Sequence, residues 1–112
     1  HKKWFNSLFN VYTTGLMVLE YGQDIIGQLR FDFDEKYPVI SISLNKKYRG
    51  LGLSKYLLNN GINYIKENYN QNTLIADIKK SNARSISFFE AMGFKKEYEI
   101  RNGSALRFIY RG

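Results

Sequence analysis

Two periodicities alternate along the chain. Leu53, Leu57, Leu58, Ile62, Tyr64, Ile65 and Tyr69 recur at helical spacing with Lys55, Asn59, Asn63 and Lys66 opposite them, which predicts an amphipathic helix from Leu53 to about Asn70. Ile86, Phe89 and Met92 mark one face of a second helix, with Asn82 suited to its N-cap and Gly93 to the position just past its end. Trp4, Phe5, Leu8 and Phe9 predict a short amphipathic helix over Lys2 to Asn10. The other apolar runs have strand character. Leu16–Glu20, Ile25–Phe33 and Val39–Leu44 read as a meander of three antiparallel strands, turning at Tyr21-Gly22-Gln23-Asp24 and at Asp34 to Pro38. Thr73–Ile78 is a further strand, and the order strand, helix, strand implies a right-handed crossover and a parallel pair. Phe94–Ile100 and Ala105–Tyr110, joined by Arg101 to Ser104, close the chain with a hairpin. No repeat, low-complexity stretch or second domain interrupts residues 1–112, so one α/β (α+β) domain with a mixed, mostly antiparallel sheet is expected.

Composition narrows the chemistry. With no cysteine there is no disulfide framework, thiolate nucleophile or Cys-based metal site, and the single His1 has no visible partners for zinc. A net charge of +7 suits phosphate-bearing partners, either nucleic acid or an anionic cofactor or substrate. The basic residues are scattered (Lys2, Lys46, Lys79, Arg101) and the aromatics fall at core spacing without interleaving with them, so nucleic acid is not the expected partner. No apolar run approaches the roughly 20 residues of a membrane span and no signal peptide is visible. A soluble, cytoplasmic monomer or homodimer is expected.

The chemical focus is the passage from Ser41 to Leu58, where a strand turns through Gly50 and Gly52 into the first long helix. Glycines there free the backbone to approach a ligand, and the amides of Leu51, Gly52, Leu53 and Ser54 open the helix without partners. Those donors and the positive end of the helix dipole favour an anion. A tight structural turn is the competing reading.

Arg49-Gly50-Leu51-Gly52-Leu53-Ser54 resembles the Arg/Gln-x-x-Gly-x-Gly/Ala signature with which Gcn5-related N-acetyltransferases (GNAT) hold the pyrophosphate of acetyl-coenzyme A, departing only at Ser54. Asn82 to Phe94 is similar to that family's second block, in which an Asn opens a helix ending in Gly-Phe. The resemblance implies a splayed parallel strand pair, helices on both faces of the sheet, and a strand and helix ahead of this chain's start. It implies acetyl-coenzyme A as co-substrate. The phosphates would lie on Arg49, Gly50, Leu51, Gly52, Leu53, Ser54 and Lys55, and the pantetheine arm on the backbone of Ile42, Ser43 and Leu44 and on Asn82 and Ser85.

Many members of the resembling family carry a proton-donating Tyr where this chain has Phe89, which becomes a pocket residue with no proton to give. Asp77 is the candidate base, with strand solvation as the alternative; Asp32, Asp34 and Glu35 stand next, as a patch for a cationic substrate more than as bases, or as a solvated hairpin. For the acceptor, His1 to Phe5 and Ile26 to Asp32 resemble bacterial surface-sugar acetyltransferases, whose acceptor is a nucleotide-linked amino sugar. A protein N-terminal or small-molecule amine is the competing acceptor, and a weakly catalytic coenzyme A-binding module of a larger enzyme the competing role.

Overall fold

The computed structural model of the chain describes residues 8–13 and 15–112, the first six as backbone only. Strands β1 (Leu8–Thr13), β2 (Leu16–Tyr21), β3 (Asp24–Asp32) and β4 (Val39–Leu44) form an antiparallel meander. Helix α1 (Leu53–Tyr69) crosses over to β5 (Thr73–Lys79), and α2 (Ala83–Ala91) leads to the hairpin β6 (Lys95–Ile100) and β7 (Ala105–Arg111). The seven strands make one sheet in the order β1-β2-β3-β4-β5-β7-β6, in which β4–β5 is the parallel pair.

The core lies on one face of that sheet. Phe31, Ile40, Ala76 and Phe108 are register partners across β3, β4, β5 and β7, so their side chains line one face. Helix α1 covers the β3 end: its Tyr64 stacks on Phe31 with ring centroids 5.8 Å apart, and Gly61 sits against Leu29. Helix α2 covers the β7 end through Phe89, 5.0 Å from Phe94, which in turn meets Tyr110 at 5.2 Å. Leu53, Leu57, Leu58 and Ile65 of α1 are fully buried between the layers, as their spacing predicts.

Three expectations change. Leu8, Phe9 and Asn10 are in β1 and not in a helix, while Lys2 to Ser7 fall outside the described residues. A segment with apolar residues at both helical and alternating spacings takes whichever state finds a partner, and here β2 supplies six register pairs. The meander therefore has four strands. Among the described residues, both helices lie on one face; the other carries the alternate side chains of the strands, including Ser41, Ser43, Asp77 and Arg107. Among the described residues, no helix is long and apolar enough to cross a membrane.

Candidate active site

The parallel pair separates almost as soon as it forms. Only Val39↔Ile75 and Ile40↔Ala76 are in register, after which β4 and β5 diverge. The resulting gap is a cavity of about 350 Å³ walled by Ser41 and Ile42 on one side and Asp77, Ile78 and Lys79 on the other, with Asn82, Ser85, Phe89 and Arg101 around it. It adjoins a larger cleft of about 1060 Å³ lined by the end of β4, the turn that follows it and the first turn of α2.

Gly50 and Gly52 shape the turn through their backbone conformation, with φ of +80° and +76°. A Cβ built at either would meet no protein atom within 4 Å, so a side chain there would take up cleft space and displace no packing. The dihedral angles favour glycine at both positions. Gly52 is the N-cap of α1 and offers no side-chain cap, and the first turn holds no acidic residue. The first intrahelical bond recorded at this end runs from Tyr56 N–H to Gly52 O at 3.2 Å, so the amides of Leu53, Ser54 and Lys55 precede the ladder. Lys46, Arg49, Lys55 and Arg84 line the same cleft. Uncapped amides, an uncompensated helix dipole and four cations together suit a polyphosphate.

The turn is braced from the far side. Buried Tyr48 donates its hydroxyl to the Asp24 carboxylate, and Lys47 Nζ lies 3.4 Å from the same oxygen. The Tyr48 bond, followed by the Lys47 charge, holds the Asp24 carboxyl below its ordinary value, while that bond and burial push the Tyr48 phenol up.

Most of the residues expected at the site come together. Ile42, Ser43, Leu44, Arg49, Gly50, Gly52, Leu53, Ser54, Lys55, Asn82 and Ser85 line the larger cleft. Leu51 lies on neither wall and is 46% exposed. Phe89 lines the gap and is buried between Phe88 and Phe94. Asn82 Oδ1 accepts the Ser85 N–H at 3.2 Å, which leaves the Asn82 amide N–H₂ as a donor at the junction of gap and cleft.

Asp77 faces the gap but is not a free carboxylate. Arg107 donates Nε to its Oδ1 at 2.8 Å and Nη2 to its Oδ2 at 2.9 Å, and is itself gripped by both oxygens of Glu35 at 2.7 and 2.9 Å. Asp77, then Glu35, hold the Arg107 guanidinium above its ordinary value against burial, which pushes it down. Asp32 and Asp34 form a turn of their own, with Asp34 N–H donating to Asp32 Oδ1 at 2.9 Å. Sequence reasoning missed Lys46, Arg84 and Phe88 in the cleft and Arg107 behind the gap. Arg84 and Phe88 share a helix with Asn82 and were within reach of its periodicity; Arg107 had no local signal.

A model of the acetyltransferase (GNAT) family matches residues 2–94. The chain belongs to this family. A curated N-alpha-acetyltransferase from Sulfurisphaera tokodaii is 31% identical over 68 residues, covering 61% of this chain and 41% of that protein. Among solved structures, a spermidine N-acetyltransferase mutant from Vibrio cholerae superposes with a TM-score of 0.75 at 18% identity, covering 86% of this chain and 63% of its own. An acetyltransferase from Agrobacterium tumefaciens gives 0.72 at 17% identity, covering 88% and 61%. The chain thus spans less than two thirds of these relatives, and the solved structures speak for the fold. Within this acetyltransferase family, acetyl-coenzyme A is the co-substrate, and the basic glycine turn and the gap beside it are of the right chemistry for its phosphates and its narrow arm.

Proposed function

We propose that the domain transfers an acetyl group from acetyl-coenzyme A to a primary amine. The observation that carries this reading is the continuity of a cationic, amide-rich cleft with a gap between two parallel strands. Acetyl-coenzyme A supplies a thioester-activated acetyl group. The chain binds it through the first-turn amides of α1 and through Lys46, Arg49, Lys55 and Arg84, and offers the β5-facing edge of Ile42, Ser43 and Leu44 to the pantetheine amides. Asn82 and Ser85 orient the arm where cleft and gap meet. The acceptor nitrogen must lose a proton as its bond to carbon forms, and Asp77 is the carboxylate that lines the gap; each of its oxygens keeps a lone pair beyond the Arg107 bond. Phe89 excludes water and moves no proton. The departing thiolate is protonated by solvent or leaves as the anion, which a thiol tolerates.

The acceptor is an amine. A nucleotide-linked amino sugar finds no support in the names of the relatives, which speak of N-alpha and spermidine acetylation. Protein N-terminal and small-molecule amines stand beside it. The missing phenol at Phe89 favours one further reading, a domain that binds coenzyme A and transfers slowly.

Calorimetric titration of acetyl-coenzyme A tests the cofactor site. The wild type should bind it; Gly52→Glu, which places a carboxylate among the amides, and Arg84→Ala, which leaves the turn untouched, should weaken binding at least about tenfold. A folded wild type that does not bind would end this reading. Release of free thiol with an amine present separates an enzyme from a binding module.

A further inference from the structure

The gap has two positive charges that the acetyltransferase reading does not use. Three charged side chains line it: Asp77, Lys79 and Arg101. Asp77 is already bound at both oxygens by Arg107. Lys79 is two residues along β5 and projects from the same face as Asp77. Other cations at this end are neutralised, Lys80 by Glu99 and Arg107 by Asp77 and Glu35, whereas among the described residues neither Lys79 nor Arg101 has an ion-pair partner.

Arg101 is held there at a conformational cost. It opens the β6–β7 turn with φ +53°, followed by Asn102 at +55° and Gly103 at +85°, three successive left-handed residues of which only the last is glycine. Such a conformation is unfavourable for an ordinary side chain and persists where its surroundings impose it. Here they do. Ser104 donates both its N–H, at 3.1 Å, and its hydroxyl, at 2.8 Å, to the Arg101 carbonyl, and Lys80 N–H ties Ser104 O to the end of β5 at 3.0 Å. The turn is fixed to the strand that forms one wall of the gap.

Resting on the acetyltransferase reading, we propose that Lys79 and Arg101 select an acceptor amine that carries an anionic group of its own, a phosphate or a carboxylate. The cofactor's phosphates have their cations in the larger cleft, at Lys46, Arg49, Lys55 and Arg84, so the two unpaired cations at the gap are left for the acceptor. A polycationic amine would meet two like charges beside a carboxylate that already holds a guanidinium.

The test uses matched amines with the whole domain and saturating acetyl-coenzyme A: glucosamine against glucosamine 6-phosphate, ethanolamine against phosphoethanolamine, β-alaninamide against β-alanine, and spermidine alone. The phosphate and carboxylate arms distinguish the two sources of charge. The anionic member of at least one pair should have a kcat/KM about 10- to 100-fold above its partner, the range of one or two charge-assisted contacts. That preference should collapse in the double variant Lys79→Gln/Arg101→Gly, while the dissociation constant of acetyl-coenzyme A stays within about twofold. Glycine is the natural residue at φ +53°, so the variant keeps the turn. Equal rates within every pair, zero in both members included, overturn the proposal, as do a preference for spermidine, a preference that survives the double variant, and a parallel loss of cofactor binding. Failure of the wild type to bind acetyl-coenzyme A would instead sink the acetyltransferase reading itself.

Discussion

Replacing Arg107 by Met asks how much the site depends on a charge held on β7, one strand in from the β6 edge of the sheet. The Arg107 and Asp77 side chains are 14% and 11% exposed, whereas Glu35 is 47% exposed. Losing the guanidinium leaves Asp77 charged and unpaired in a largely buried position. Breaking a buried pair costs about 3–5 kcal/mol, and partial exposure puts the expected loss near ~3 kcal/mol. The Glu35 arm adds little, since exposed pairs contribute about 0–1 kcal/mol. At roughly 4 °C per kcal/mol for a domain of this size, the calorimetric melting temperature should fall by about 12 °C, against at most about 4 °C for Glu35→Gln. The double variant Asp77→Leu/Arg107→Met should recover most of that loss, because an apolar pair removes both buried charges. A drop no larger than that of Glu35→Gln, or a double variant less stable than Arg107→Met, would refute the view that Asp77 is held by a buried ion pair. At temperatures where it is folded, Arg107→Met should also lose kcat more than acetyl-coenzyme A affinity if Asp77, which Arg107 holds, takes the acceptor's proton as proposed.

Gly27→Ala would place a Cβ 2.7 Å from Ser43 O and 2.8 Å from Leu44 Cδ1, forcing β4 outward; a loss of about 1–3 kcal/mol and weaker cofactor binding are expected, by denaturant titration and calorimetry. Asn82→Ala should cost about 1 kcal/mol through the lost cap, whereas Asn82→Asp keeps the cap and should lose acetyl-coenzyme A affinity alone. The brace behind the glycine turn should make stability depend on pH at both extremes. With its folded pKa depressed, Asp24 contributes fully above the unfolded carboxylate value of about 4 and loses that contribution as pH falls below it; Tyr48, with its pKa raised, contributes fully below about 10 and loses it as pH rises further. Melting curves of Asp24→Asn should show both dependences reduced, and curves parallel to wild type at each extreme would count against the brace.

The sequence by itself determined the elements whose signals are local. Helix α1 runs from Leu53 to Tyr69, as its apolar arc requires, Asn82 caps α2 through its own side chain, and a tight turn follows from two glycines before a helix. Each depends on groups within a few residues of one another, where spacing fixes geometry. Tertiary structure decided what depends on partners distant along the chain. Leu8 to Asn10 carry apolar residues that suit a helix as well as a strand, and only the edge offered by β2 chose the strand. Arg107 joins Asp77 from 30 residues away and Glu35 from 72, and no pattern near any of them announces that contact. The gap itself is a matter of register: β4 and β5 share two pairs and then part, and the unpaired edge that suits a cofactor exists only because two strands that the sequence marks as neighbours stop bonding partway along. Periodicity tells which face of a strand is apolar, but not how far two strands stay paired.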